Sequence, residues 1–173
     1  MTDGTLLSIN IAGGISVIMG YTFVYLTGTG SKLYKVFNRN EKTIFLTLSA
    51  LSIISFFYLL YWASTTETLK EWRHTLYIVS LAVYLFGASI WSPIIYRIVK
   101  KKQHPYNQIP ALFITGIGTV GMLVAIAAED SDEDLRYSFA MTAAILLVVQ
   151  HAFFDLLYWP NRHASKNYKT LKR

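Results

Sequence analysis

The sequence predicts an all-α membrane protein, a bundle of five transmembrane helices, and three observations lead to this fold class. Of the 173 residues, 53% are hydrophobic and only 15% are charged, whereas a soluble domain usually carries about 25% charged residues. The charged residues cluster between long uncharged stretches. Each stretch is long enough to cross the roughly 30 Å hydrocarbon core of a bilayer, which takes about 20 helical residues.

Five segments meet this length requirement. They cover residues 5–28, 43–64, 74–99, 109–128 and 135–159, and together they are expected to form one transmembrane domain, residues 1–159. Each should be a helix, because lipid admits only helices or closed barrels as spanning structures and none of the segments shows the alternation of a barrel strand. Pro160 is expected to end the last helix, and residues 160–173 then form a basic tail.

Positive charge is distributed unequally between the two sides of the predicted bundle. Thirteen of the 16 lysine and arginine residues lie in the first connection, around the third connection and in the tail. Cytoplasmic segments of membrane proteins carry such an excess, so the N-terminus is expected outside and the C-terminus in the cytoplasm. These basic loops and the tail are expected to contact anionic lipid headgroups. The asymmetry explains the net charge of +6 without a nucleic-acid partner.

Composition and motifs exclude several kinds of chemistry. The chain has no cysteine, which removes disulfides, thiolate nucleophiles and Cys-ligated clusters. The first residues lack the basic segment of a cleavable signal peptide. The acidic run at 129–134 lacks the glycine and the final acid of a calcium loop. No catalytic residue, metal or cofactor is therefore expected.

Small residues in the spans are expected to serve helix packing. The segment 116–121, GIGTVG, fits the spacing of a dinucleotide-binding loop, but that fingerprint needs a preceding strand. Inside a membrane span, small residues instead let two helices approach closely. Ala12, Ser16 and Gly20 form a similar row in the first span.

The last span contains three polar residues, Gln150, His151 and Asp155, in an otherwise apolar sequence. His151 and Asp155 are four residues apart and share one face of an α-helix, whereas Gln150 lies at its flank. A charge at the bilayer centre costs at least about 2.5–3.5 kcal/mol, so these side chains are expected to face the bundle interior. Two hypotheses remain open, namely a hydrogen-bonded staple between helices and a titratable ligand or proton site.

Further polar residues are expected at a similar depth, and with the three above they define a predicted polar chamber in the inner half of the bundle, opening toward the cytoplasmic leaflet. Pro93 is expected to kink the third span there, because proline removes one backbone hydrogen bond. The predicted site residues are His151, Asp155, Gln150, Ser89, Ser92, Ser52 and Tyr25, with Ser49 and Tyr21 nearby.

The sequence favours a multi-pass membrane protein that is not an enzyme and that binds or transports a small ligand or ion in this chamber. The alternative hypothesis is an accessory or assembly subunit of a larger membrane complex. Its support is the small-residue rows, the short outer loops and the basic tail. Protein partners or a homo-oligomer fit either hypothesis, and the sequence does not specify the organelle.

Overall fold

The computed structural model describes residues 3–29, 32, 35, 37–65, 71–101, 103–128, 135–162 and 164. The described residues contain no strand, and five of their helices are long and apolar enough to cross a membrane. This confirms the all-helical fold and the five long, apolar helices. The acidic run and most of the basic tail lie outside the described residues.

The helices begin and end within a few residues of the predicted bounds, except at the last one. They are α1 (Asp3–Leu26), α2 (Arg39–Thr65), α3 (Glu71–Lys101), a short 3₁₀-helix (Pro105–Gln108), α4 (Ile109–Ala127) and α5 (Leu135–Val148). α5 continues as a ten-residue π-helix, Val149–Tyr158, called here the π segment. Residues 159–162 are again helical, so the helix passes Pro160, where the sequence predicts its end.

Local sequence explains the bounds of α1 and α2. Gly28, just past the end of α1, has a φ of +64°, the left-handed conformation that commonly terminates a helix. At the start of α2, the Asn38 side chain accepts a hydrogen bond from the Glu41 amide at 2.9 Å, and the Asn38 amide donates to the Glu41 carboxylate at 2.8 Å. This reciprocal pair is a capping box.

The helices are arranged in the spatial order α1, α3, α4, α5, α2, with each packed on the next. α3 and α4 are antiparallel, because Gly87 contacts Thr115 while the earlier Tyr84 contacts the later Gly118. α1 and α3 are parallel, because Gly13 contacts Leu85 and Gly20 contacts Ser92. The start of α2 and the end of α3 therefore lie at one end of the bundle, together with their lysines and arginines. We call this the basic end.

An ion-pair cluster joins α2 to the last helix at the basic end. Glu41 accepts a hydrogen bond from the Tyr158 hydroxyl at 2.9 Å and forms an ion pair with Arg162 at 3.0 Å. Since Glu41 also belongs to the capping box, its carboxylate both caps the N-terminus of α2 and links α2 to the end of the last helix.

The tightest packing in the bundle lies between α3 and α4. A Cβ atom added at Gly118 would lie 2.5 Å from the Tyr84 backbone nitrogen and 2.7 Å from the Ser80 carbonyl oxygen. Only glycine permits this backbone approach, so the GIGTVG segment serves helix packing, as predicted. The row expected in α1 is shifted, because Ala12 and Ser16 are exposed and Gly13 contacts α3 together with Gly20.

Replacing Gly118 by alanine is expected to destabilise the bundle by about 1–3 kcal/mol, because the added methyl group meets backbone that cannot move aside. The matched control is Gly14→Ala, since a Cβ at Gly14 has no atom within 4 Å. The thermal unfolding midpoint of each variant in detergent measures the effect. Equal midpoints for the two variants would contradict the close helix approach.

Candidate functional site

A cavity of about 330 Å³ lies between α1 and α2, with α3, α4 and the π segment on its other sides. Ligand pockets have volumes of about 300–1,000 Å³. Most of the lining side chains are apolar, Phe45, Phe56 and Trp91 among them, and the π segment supplies a polar wall. The cavity therefore combines an apolar interior with a localised group of hydrogen-bonding side chains.

The cavity opens sideways. Ile18 and Tyr21 from α1 and Ile53 and Phe57 from α2 line it, and each is more than half exposed. These four side chains form a mouth between the two helices on the lateral surface of the bundle. From the sequence, the predicted opening was toward the cytoplasmic leaflet, whereas the structure has a lateral mouth.

Toward the basic end, aromatic side chains pack behind the cavity. Phe45 lines the cavity, and its ring lies 5.5 Å from that of Phe37 and 5.9 Å from that of Phe154. Along α2 the lining residues run from Phe45 to Leu60, about 22 Å of helix at 1.5 Å per residue. The cavity thus reaches beyond the inner half of the bundle to which the sequence assigned it.

The three polar residues of the π segment form one hydrogen-bonded group around Asp155. The Gln150 side-chain amide donates to one Asp155 oxygen at 3.0 Å, and Nδ1 of His151 lies 2.9 Å from the other. Each Asp155 oxygen therefore has one of these partners, His151 four residues and Gln150 five residues earlier in the chain. Gln150 is only 2% exposed, so it is part of the interior and not of the flank.

The π-helical winding explains this geometry. In an α-helix, residues five apart lie about 140° from each other around the axis, which would turn Gln150 away from Asp155. A π-helix bonds each amide to the carbonyl five residues back, as the Trp159 amide does with Phe154. Residues four and five back then lie on either side of Asp155, and both reach its carboxylate.

Tyr84 of α3 connects this group to the neighbouring helix. Its hydroxyl lies 3.3 Å from Nε2 of His151, and the two rings meet edge to face with centroids 5.3 Å apart. When Asp155 is ionised it only accepts hydrogen bonds, and Nδ1 of His151 is then the donor. Its Nε2, when the ring is neutral, accepts the Tyr84 hydrogen.

Some polar atoms in the cavity wall have no partner among the described residues. They are the side-chain oxygen of Gln150, the hydroxyl of Ser52 and the side-chain oxygen of Asn10. Leaving a buried polar atom without a hydrogen bond costs about 1–3 kcal/mol. The three residues that carry these atoms line the cavity, and the atoms themselves are buried.

The structure brings four of the seven predicted site residues together. Gln150, His151, Asp155 and Ser52 line the cavity, as do Ser49 and Tyr21. The other three lie elsewhere. Ser89 donates to the Leu85 carbonyl of its own helix, Ser92 contacts Gly20 of α1, and Tyr25 is 82% exposed. Pro93 lies inside α3, which continues through it to Lys101.

Two residues of the site were missed by the sequence analysis, Tyr84 and Asn10. Tyr84 had a usable signal, because it lies well inside a span and not at its end, where interfacial tyrosines are enriched. Among the residues that the structure describes, no group of three or more His, Asp or Glu side chains could hold a metal ion.

The network predicts the tautomer of His151. In ¹⁵N NMR spectra of histidine-labelled protein, we expect a His151 ring that carries a proton on Nδ1, because this nitrogen lies 2.9 Å from the Asp155 carboxylate. The His151→Gln variant assigns the signal. We expect Asp155→Asn to redistribute the proton between the two nitrogens. A ring protonated only at Nε2 in the unmodified protein would contradict the arrangement.

The chain matches no protein-family model, and no match is found among curated proteins or among solved structures.

Proposed function

We propose that this chain is an integral membrane protein that binds a small, largely apolar ligand in the cavity between α1 and α2. In this proposal the five helices cross the bilayer with the basic end in the cytoplasm. The protein acts by binding and not by catalysis.

The surface of the bundle supports membrane insertion. Large apolar side chains are exposed on every long helix, for example Ile15, Ile54, Phe86, Phe113 and Phe153. In water such a continuous apolar surface would promote association, whereas in lipid it is the required exterior. The charge asymmetry then favours placing the basic end on the cytoplasmic side.

One observation carries the ligand-binding proposal, namely that the hydrogen-bonded group of the π segment faces a cavity and retains an unpaired, buried oxygen on Gln150. A purely structural staple would satisfy its polar atoms against a neighbouring helix, because unpaired ones are costly. The Tyr84–His151 contact does join two helices, but the Gln150 oxygen has no partner among the described residues, and Gln150 lines the cavity. Binding is favoured over passage through the bundle, since aromatic side chains separate the cavity from the basic end.

The alternative function, an accessory subunit of a larger membrane complex, also has one supporting observation. Only 6% of the α1 span is buried, against 22–50% for the other four, so lipid or a partner protein covers the rest of α1. Native mass spectrometry of the protein extracted directly from its membrane distinguishes these two. A monomer alone would argue against the complex.

Orientation can be tested directly because the chain has no cysteine of its own. Ser64 and Gln103 are exposed near opposite ends of the bundle. A membrane-impermeant maleimide added to intact cells is expected to label Ser64→Cys, and to label Gln103→Cys only after permeabilisation. The reverse pattern would invert the proposed topology, and labelling of both without permeabilisation would exclude it.

Filling the cavity is expected to weaken binding. Gly14 lines the cavity and has open space at its Cβ position, so Gly14→Phe is expected to direct a ring into the cavity. We expect saturable binding of the fluorescent probe 1-aminoanthracene in nanodiscs, read by energy transfer from tryptophan, to weaken at least about tenfold. The control is Ala12→Phe, because Ala12 is exposed on the same helix. Equal loss in both variants, or no saturable binding to the unmodified protein, would refute the proposal.

A further inference from the structure

We infer that the ligand of this cavity carries a hydrogen-bond donor, a hydroxyl or neutral amine on an otherwise apolar frame, which donates to the side-chain oxygen of Gln150. This inference rests on the proposed function, because it specifies the chemistry of the ligand in the same cavity. The inference is argued from polar atoms of cavity-lining residues that have no hydrogen-bond partner among the described residues.

The orientation of the Gln150 amide is determined by Asp155. A carboxylate only accepts hydrogen bonds, so the nitrogen of the amide must face it, and the distance of 3.0 Å fits that bond. The amide oxygen then points elsewhere and has no partner among the described residues. An amide oxygen only accepts. A ligand that satisfies Gln150 must therefore donate.

Two nearby atoms have the same character. The Asn10 side-chain oxygen is an acceptor, the Ser52 hydroxyl can accept or donate, and both are buried, unpaired and part of the cavity lining. Ser52 is 5% exposed, so its hydroxyl is not solvated at the surface. Three cavity-lining residues with unpaired atoms, all able to accept, favour a ligand that donates over one that only accepts.

The donor is expected to be neutral. Each Asp155 oxygen already has a partner, one in Gln150 and the other in His151. A cationic ligand that paired with Asp155 would therefore have to share the carboxylate with Gln150 and His151. Amide and hydroxyl oxygens alone are weak compensation for a cation in a low-dielectric interior.

The mouth of the cavity adds a constraint on the rest of the molecule. Its rim consists of exposed side chains from α1 and α2, Ile18, Tyr21, Ile53 and Phe57, on the surface that faces lipid in the proposed topology. A molecule that reaches the cavity through this rim must be soluble in the bilayer. The ligand class is thus a lipid-soluble alcohol or amine of compact aromatic or alicyclic shape.

Two isosteric probes test the inference on the unmodified protein. 1-Aminoanthracene has an N–H donor, and anthracene has the same ring frame without one. In nanodiscs, with concentrations expressed per lipid to correct for partitioning, we expect 1-aminoanthracene to bind about tenfold more tightly, as one hydrogen bond to a buried unpaired acceptor implies. A permanently cationic analogue, N,N,N-trimethylanthracenaminium, which lacks an N–H group, is expected not to compete.

Variants identify the acceptor. Gln150→Leu keeps the approximate volume and removes the oxygen, so it should reduce the preference for the amine to about one while anthracene still binds. Ser52→Ala should reduce the preference in part. The control for the latter is Ser55→Ala, since Ser55 is buried one turn along the same helix but does not line the cavity.

Each outcome has a distinct meaning. Equal affinity of the two probes for the unmodified protein would overturn the donor inference and leave the proposed ligand-binding function intact. Saturable binding of neither probe would overturn the proposed function itself. Tighter binding of the cationic analogue would contradict the inference of a neutral donor and would indicate instead a cationic ligand paired with Asp155. If Gln150→Leu does not fold, the donor inference is still tested by the two probes on the unmodified protein and by the comparison of Ser52→Ala with Ser55→Ala.

Discussion

The burial of the Asp155 carboxylate is the constraint on which the rest of the site depends. A charge in an apolar bundle is costly, and here it is stabilised by two donors from its own helix, Gln150 and His151. Both can reach one carboxylate only because the helix is wound with a five-residue repeat. This winding directs Nε2 of His151 to Tyr84 of α3. It also turns the remaining oxygen of Gln150 away from every described partner.

The cavity is bounded by the closely packed helices α3 and α4 on one side and by the more exposed helix α1 on the other. α3 and α4 touch backbone to backbone at Gly87 and Gly118, so the residues that they contribute to the cavity have little freedom to move. α1, in contrast, packs on α3 and leaves most of its surface exposed. Because α1 and α2 form the mouth, access to the cavity depends on the least buried helix of the bundle.

Sequence predicted the fold well and the site in part. Five spans follow from hydropathy alone, and Gln150, His151 and Asp155 could be identified because polar residues are rare in such segments. The π segment could not be predicted, since its residues also suit an α-helix, and Gln150 was therefore assigned to the flank. Tyr25 and Ser89 share a predicted depth with the site but not its face, because the rotation of each helix depends on tertiary packing. Tyr84 was missed for the same reason.

The π segment also has a consequence for how this site could be gained or lost. Each π turn contains about one residue more than an α turn, so the ten residues of Val149–Tyr158 hold one or two more than an α-helical stretch of equal rotation. Deleting these one or two additional residues would shorten the helix very little and leave its hydropathy nearly unchanged. Gln150 and His151 would nevertheless stop sharing Asp155. A difference of one or two codons therefore separates a bundle with this polar wall from a bundle of the same helices without it.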